Sequence, residues 1–335
     1  MAQPSISDAA GPAHGPAPLR VLRELGAQDW IMLSYTLFVL LATARGSGPA
    51  YRSAVSTSAS LFLMACAGVF SVRAGWLGQG RFAGFVYRVT TWNVVMVAYL
   101  TMRDVLKTAA PHSFDEQLYR LDIALVGVEP TFLLDKIVSP FLTEWFSFFY
   151  FNYFLLLASY VLPLLFLERR HRILAEFGFA LMPLTCVVHT LYVLVPGYGP
   201  FKHLAGQYTN ELPHGYFYDL VMTTVTNAGA QKDIFPSLHT AAPTMFTLVS
   251  FRLRAHAPYK YVWPVTAFFA LNIVVATLYL RWHYLVDVLA GLTLAFTFSR
   301  LAPRVVAWEE ARRRREGLGP LWPLGLRAYV DEAPR

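Results

Sequence analysis

Two segments of this chain carry residues whose types and spacing could do chemistry. One runs Asp233-Ile-Phe-Pro-Ser-Leu-His239-Thr-Ala and the other Tyr279-Leu-Arg-Trp-His283-Tyr-Leu-Val-Asp287-Val-Leu-Ala-Gly291. In the second, His283 and Asp287 are four apart, which on a helix puts them on one face, one turn from each other. A carboxylate there holds an imidazole in one tautomer and stabilises its cation, the part an orienting acid plays in catalytic triads. In the first, Pro236 and Ser237 are typical of a helix entry with Ser237 as N-cap. The free backbone N–H groups of that helix N-terminus would lie beside His239, a ready site for an anion such as phosphate. The imidazole with a carboxylate partner is the better nucleophile. The other, without one, suits acid–base work near neutral pH. His14, His112, His171 and His256 fall in tail or loops and read as surface residues; His189, inside an apolar run, reads as a packing histidine.

The elements that must position these residues are apolar. Of 335 residues 56% are apolar and only 15% charged, where soluble domains carry about a quarter charged. The apolar residues gather into spans at about 30–45, 53–72, 83–102, 145–167, 174–195, 237–252, 262–280 and 283–301. The first and sixth are the shortest against the roughly 17 to 25 residues a crossing needs. The expected fold class is therefore all-α, a polytopic membrane helix bundle of about eight transmembrane helices. The net charge of +7 would point to nucleic acid only if the basic residues formed one soluble patch; they punctuate the apolar runs instead, so the bilayer is the expected partner and nucleic acid is not. Cys66 and Cys186 lie inside apolar segments, which argues against a disulfide framework or a cysteine-based zinc site.

Residues 1–19, rich in Ala, Pro, Gly and Ser, are expected to be a disordered tail that is retained, since no short apolar stretch with a cleavage site precedes Trp30. Lys and Arg decide orientation. Arg73, Arg81, Arg169, Arg170, Arg172, Arg252, Arg254, Lys260, Arg300, Arg304 and the Arg312–Arg315 run fall on even-numbered connections and the C-terminal flank. Both termini are thus expected in the cytoplasm. The long stretches Arg103–Glu144 and Pro196–Pro236, with any site they cap, then face the extracytoplasmic side, as in a bacterial inner membrane or its equivalent.

The pattern Phe-Pro-Ser-Leu-His239 followed by His283-Tyr-x-x-Asp287-x-x-x-Gly291 resembles the second and third signature motifs of the type 2 phosphatidic acid phosphatase superfamily. Leu238, where most members have Gly, is similar to the branch that contains the fungal inositol phosphorylceramide synthases, the aureobasidin-resistance family. Asp122-x-x-Leu-x-Gly127-x-x-Pro130 and Pro196-Gly-Tyr-Gly-Pro200 also resemble that branch. The resemblance implies a six-helix lipid phosphatase-like core over residues 83–302, preceded by two transmembrane helices in 20–82 and followed by a basic cytoplasmic tail, 303–335. It implies metal-independent transfer through a phosphohistidine, with no cofactor. His283 attacks phosphorus, Asp287 orients it, and His239 protonates the departing oxygen and then deprotonates the acceptor.

One part of the family pattern is missing. Its first motif supplies a Lys and an Arg before a Pro, and its third an Arg six residues ahead of the nucleophilic His, where this chain has Thr277. Stabilising a phosphoryl transition state is mostly electrostatic. Arg281, Lys202 and Lys232 are the cations that could supply the charge, with Ser237 a phosphate contact through hydroxyl or backbone N–H. A regular helix at Arg281 would point its side chain away from His283, so its role requires an irregular entry. The expected substrate is a phospholipid or lipid phosphate. Transfer of a phosphoalcohol headgroup to a lipid alcohol such as ceramide or diacylglycerol and hydrolysis of a lipid phosphate or isoprenoid diphosphate differ only in what enters the second step. Two other classes fit the residues: a transporter or flippase with a histidine proton relay, and a metallohydrolase using His239, His283 and Asp287 as ligands.

Overall fold

The structure, a computed structural model, describes residues 17–228 and 230–323. The N-terminal tail expected to be disordered lies outside them up to residue 16, as do residues 324–335 of the C-terminal tail. The described residues form helices and no strand: α1 (Ala17–Glu24), α2 (Ala27–Ala44), α3 (Tyr51–Arg73), α4 (Arg81–Ala109), α5 (Asp115–Val126), α6 (Pro130–Asp135), α7 (Pro140–Phe151), α8 (Tyr153–Phe166), α9 (His171–Leu194), α10 (Pro200–His203), α11 (Tyr216–Ala228), α12 (Leu238–Arg252), α13 (Tyr259–Tyr279) and α14 (Leu285–Glu316).

Among the described residues six helices are long and apolar enough to cross a membrane: α2, α3, the continuous run α7–α8, α9, α13 and α14. The chain is an integral membrane protein with an all-α polytopic bundle. The other two expected spans, the third and the sixth, are α4 and α12. α4 has the length but carries Arg81, Arg88, Arg103, Asp104 and Lys107, and α12 has only 15 residues. α12 nonetheless lies at the centre of the bundle, packed on α8, α9, α13 and α14. A short helix held on all sides by longer ones need not reach both surfaces.

Local sequence explains the entries and exits. Ser139 accepts from Leu142 N at 3.3 Å and Pro140 follows at the first helical position of α7, a combination that starts a helix without wasting a donor. Gly127 ends α5 in the left-handed region, the usual exit for a residue without Cβ. α14 runs well past the expected limit at 301, to Glu316, because its last turns hold Glu309, Arg312 and Arg313 in ion pairs at 2.6 and 3.0 Å. The stretch Arg103–Glu144, which reads as polar connection, contains α5, α6 and the entry of α7, and Pro196–Pro236 contains α10 and α11.

The two ends of the bundle differ in composition. Arg73, Arg170, Arg172, Arg252 and Arg313 gather at one end, where Arg73 reaches the carbonyl of Leu321 (2.9 Å), Arg170 that of Ala257 (3.2 Å) and Arg252 the carboxylate of Glu176 (2.8 Å). The entries of α12 and α14, with the two histidine motifs, are at the other end, under α5, α6, α10 and α11.

Candidate active site

His283 lies in the turn between α13 and α14, outside both helices. Arg281 takes φ +65°, the left-handed region that a residue with a Cβ seldom enters. The Thr277 carbonyl then accepts from both Trp282 N (3.0 Å) and His283 N (3.1 Å), closing the turn. Tyr284 is the N-cap of α14, and Asp287, three residues on, returns its carboxylate Oδ2 to Tyr284 N at 2.9 Å. The same oxygen stands 3.4 Å from His283 Nδ1. The pair expected from i,i+4 spacing does meet, but across a helix cap and not along a helical face. Asp122 completes the entry, accepting from Leu285 N (2.6 Å) and Val286 N (2.8 Å). Two carboxylates therefore occupy the orphan amides of α14, where the helix dipole favours negative charge.

His239 is the second residue of α12. Ser237 is the N-cap, its hydroxyl accepting from Thr240 N at 3.2 Å, and its own N–H donates to the Asp287 carbonyl at 3.1 Å. A Cβ at Gly291 would stand 2.6 Å from the Ser237 carbonyl, so the motif glycine permits α14 to pass this close to the α12 entry. Ser237 is fully buried by these contacts, and its hydroxyl is used within the fold. The His239 ring stacks on Tyr150 (4.4 Å, 9° between planes) and packs against Tyr153 at 4.2 Å. Its centroid is 6.3 Å from that of His283. Both rings line one chamber of about 540 Å³, walled by α4, α7, α8, α10, α11 and the two motif segments.

The three expected cations part company. Lys202 lines the chamber, its Nζ 3.7 Å from the centroid of Tyr198, and among the described residues it is the one Lys or Arg to do so. Arg281 has the irregular backbone that its role required, yet its guanidinium goes to Asp135 Oδ1 (2.7 Å) and the Asn210 carbonyl (2.6 Å), over the Tyr208 ring. Lys232 donates to the carbonyls of Ala110 (2.9 Å), Pro111 (3.2 Å) and His112 (3.2 Å), which uses every ammonium proton.

Sequence reasoning missed what surrounds the histidines. Asp233, quoted in the first motif but given no role, lines the chamber beside His283 and accepts from the Tyr99 hydroxyl. Burial pushes the His283 pKa down to about 4, against the pull of the Asp233 carboxylate. Burial thus favours the neutral form of this imidazole. Asp115 accepts from Tyr198 N (2.9 Å), Gly199 N (2.8 Å) and the Tyr284 hydroxyl (3.2 Å), tying the Pro196–Pro200 segment to the α14 entry. Gly199 has φ +83° and lies so close to the Trp282 carbonyl that a Cβ would collide with it. Glu144 accepts from Phe217 N (3.1 Å) and Tyr218 N (3.0 Å) at the start of α11. Glu129 is wholly buried, and burial pushes its carboxyl up to about 7 despite hydrogen bonds from Thr131. An acidic residue next to a proline was the available sign for Glu129; the other contacts join residues far apart in sequence and leave none. Among the described residues no three His, Cys, Asp or Glu side chains converge as metal ligands.

No curated protein and no solved structure matches the chain. A family model, that of the PAP2 superfamily, matches residues 116–301. The match takes in both histidine motifs, the Asp122 segment and the Pro196–Pro200 turn, and omits α2 to α4 and everything after residue 301. It covers more than half of the sequence, and it spans the helices that build the chamber floor around α12 and α14. On that match the chain belongs to the PAP2 superfamily, and membership supports a lipid phosphatase-like function.

Proposed function

We propose that this protein moves a phosphoryl or phosphoalcohol group from a membrane lipid to an acceptor, through a phosphohistidine on His283, at the extracytoplasmic face. The observation that carries the reading is the placement of His239 and His283 across one chamber, ring centroids 6.3 Å apart, with Asp287 behind His283. Both rings line the same chamber, so a phosphoryl group bound there would lie beside each imidazole.

In the first step the His283 Nε2 lone pair attacks phosphorus, the bond to the lipid oxygen breaks, and His239 gives its proton to that oxygen. Asp287, facing Nδ1, keeps the proton on that nitrogen and stabilises the cation that forms. Its second oxygen, Oδ1, is buried without a partner, so the carboxylate retains capacity to accept as the ring becomes charged. In the second step His239 takes the proton of the entering hydroxyl, the acceptor oxygen attacks phosphorus, and the P–N bond breaks. Water as acceptor gives hydrolysis; a lipid alcohol gives transfer. Lys202, exposed at the chamber wall, is the cation nearest to hand for the phosphoryl oxygens, whose developing charge it would offset. Both termini and the arginine-rich end then lie in the cytoplasm by the positive-inside rule.

The reading is tested by incubating the purified protein with labelled phosphatidic acid, a phospholipid with an alcohol headgroup and an isoprenoid diphosphate, each with and without ceramide, diacylglycerol and inositol. Products are scored by mass, in the presence and absence of EDTA. Release of inorganic phosphate identifies a hydrolase, and a new lipid phosphodiester identifies a transferase. Activity that survives chelation fits the histidine mechanism, and loss on chelation with recovery on one added metal would contradict it.

A further inference from the structure

The chamber opens at its floor into a second, narrower cavity of about 90 Å³ between α4, α8, α9 and α12. Met96, Tyr99, Phe154, Asp233 and His239 line both, so the two adjoin at His239. The wall on α9 is one helical stripe, Leu174, Gly178, Leu181, Thr185, His189 and Tyr192. At 1.5 Å per residue that stripe is about 27 Å long, close to the ~30 Å thickness of a bilayer's hydrocarbon core and about twice the depth of one leaflet. α4 and α8 flank the slot without packing extensively on each other.

At the arginine end the slot stops on Trp322. Trp322 is 1% exposed and belongs to the segment that follows α14, outside the family match. Gly317 ends α14 in the left-handed region, and the chain turns back beneath the bundle. Arg73 holds the carbonyls of Pro320 (3.3 Å) and Leu321 (2.9 Å), Arg88 that of Pro323 (2.9 Å), and Trp322 N donates to His171 Nε2 at 3.2 Å. The indole meets the Tyr87 ring edge-on at 5.3 Å and rests on Gly178, where any Cβ would run into it.

We propose that this slot takes one hydrocarbon chain of the lipid whose phosphate lies between His239 and His283, and that Trp322 is its floor, so that the segment after α14 sets the longest chain accepted. The proposal rests on the lipid reading above. Lipid tails are as apolar as the slot, so moving a chain from bilayer to slot gains no hydrophobic free energy. Selection must then come from shape. A chain that ends above Trp322 fits, whereas one that is longer must displace a buried indole or leave its phosphate short of the histidines. The expected dependence on chain length is a break and not a gradual slope.

The test uses the full-length protein in detergent micelles and a set of phosphate monoester lipids with one headgroup and a single chain, from shorter than a leaflet to longer than the slot. Wild type is expected to lose at least about tenfold in kcat/KM at the first chain that exceeds the slot. Trp322→Ala moves the break to longer chains, and Thr185→Phe, which places a ring midway down, moves it to shorter ones. A structural role for Trp322 alone would lower turnover of all lengths together and leave the break in place. A break at the same length in all three proteins, or none, overturns the proposal. Should no protein turn over any lipid, the catalytic reading fails by itself; the chain lengths retained from an equimolar mixture, read by mass spectrometry of the purified proteins, then decide. Retained lengths that shift with Trp322→Ala and Thr185→Phe support the slot, and unchanged lengths overturn it.

Discussion

At the arginine end of the bundle carboxylates pair with guanidinium groups: Asp29 with Arg73 at 2.7 Å, Glu176 with Arg172 at 3.0 Å and Arg252 at 2.8 Å, Glu309 with Arg313 at 3.0 Å. At the histidine end they mostly accept from backbone amides instead. Asp115, Asp122, Asp287 and Glu144 each bind the N–H groups of a turn or a helix entry, and Arg281–Asp135 is the buried ion pair found there. The first arrangement locks helices together, charge against charge. The second aims short segments at a common point and leaves the two imidazoles and Lys202 lining one chamber. The locking contacts and the proposed site thus lie at opposite ends of the bundle.

That separation can be broken most severely at the histidines. His283→Ala and His239→Ala are each expected to lower turnover of a labelled lipid by roughly a thousandfold or more, with thermal unfolding in micelles little changed. Wild-type release of product by either variant would remove the site from the chemistry. Asp287→Asn keeps the side-chain shape but loses the charge behind the imidazole, for an expected fall of about 10²- to 10⁴-fold in kcat with substrate binding retained. Lys202→Met should raise KM by about tenfold or more, the worth of one charge-assisted hydrogen bond, and a normal KM would return the search for the phosphate-binding cation to Arg281. At the opposite end, Glu176→Gln removes the charge between two arginines. Stability is expected to fall by about 1–3 kcal/mol, read as a lower unfolding temperature, with turnover per folded molecule within about twofold of wild type.

The smallest effect is one of pH. Asp233 favours the charged form of His283, while burial holds that imidazole down to about 4. A nucleophile must be neutral, so the acid limb of kcat/KM falls near that value in the wild type. Removing the Asp233 carboxylate in Asp233→Asn takes away the partner that raised the pKa, and the limb moves to lower pH. A shift to higher pH would mean that another group titrates there.

The sequence reading reached the helices and the two histidine motifs because both are local. Apolar runs announce spans, and Pro236-Ser237 announces a helix entry, which the structure has at Ser237. The spacing of His283 and Asp287 predicted their contact, though for a reason that differs in detail: His283 precedes α14, and the carboxylate reaches back across the cap. What stayed hidden is long-range. Nothing in the residues near Arg281 says that a positive φ turns its side chain toward Asp135, and nothing near Lys232 shows the three carbonyls just after α4 that it holds. Trp322 reads as part of a basic tail, and only the fold seats it under Gly178. Type and spacing named the groups proposed to react; which cation stands beside them depended on tertiary contacts.

The central claim, a covalent intermediate on His283, is tested most directly by trapping it. Purified protein is mixed with lipid carrying labelled phosphorus, quenched in alkali after a few turnovers, digested and mapped. The account predicts label that is stable to base and lost in acid, on the peptide that contains His283, absent from His283→Ala and persisting longer in His239→Ala, where the second step lacks its base. Full turnover in wild type with no protein-bound phosphorus at any time, or label on another residue, would contradict it.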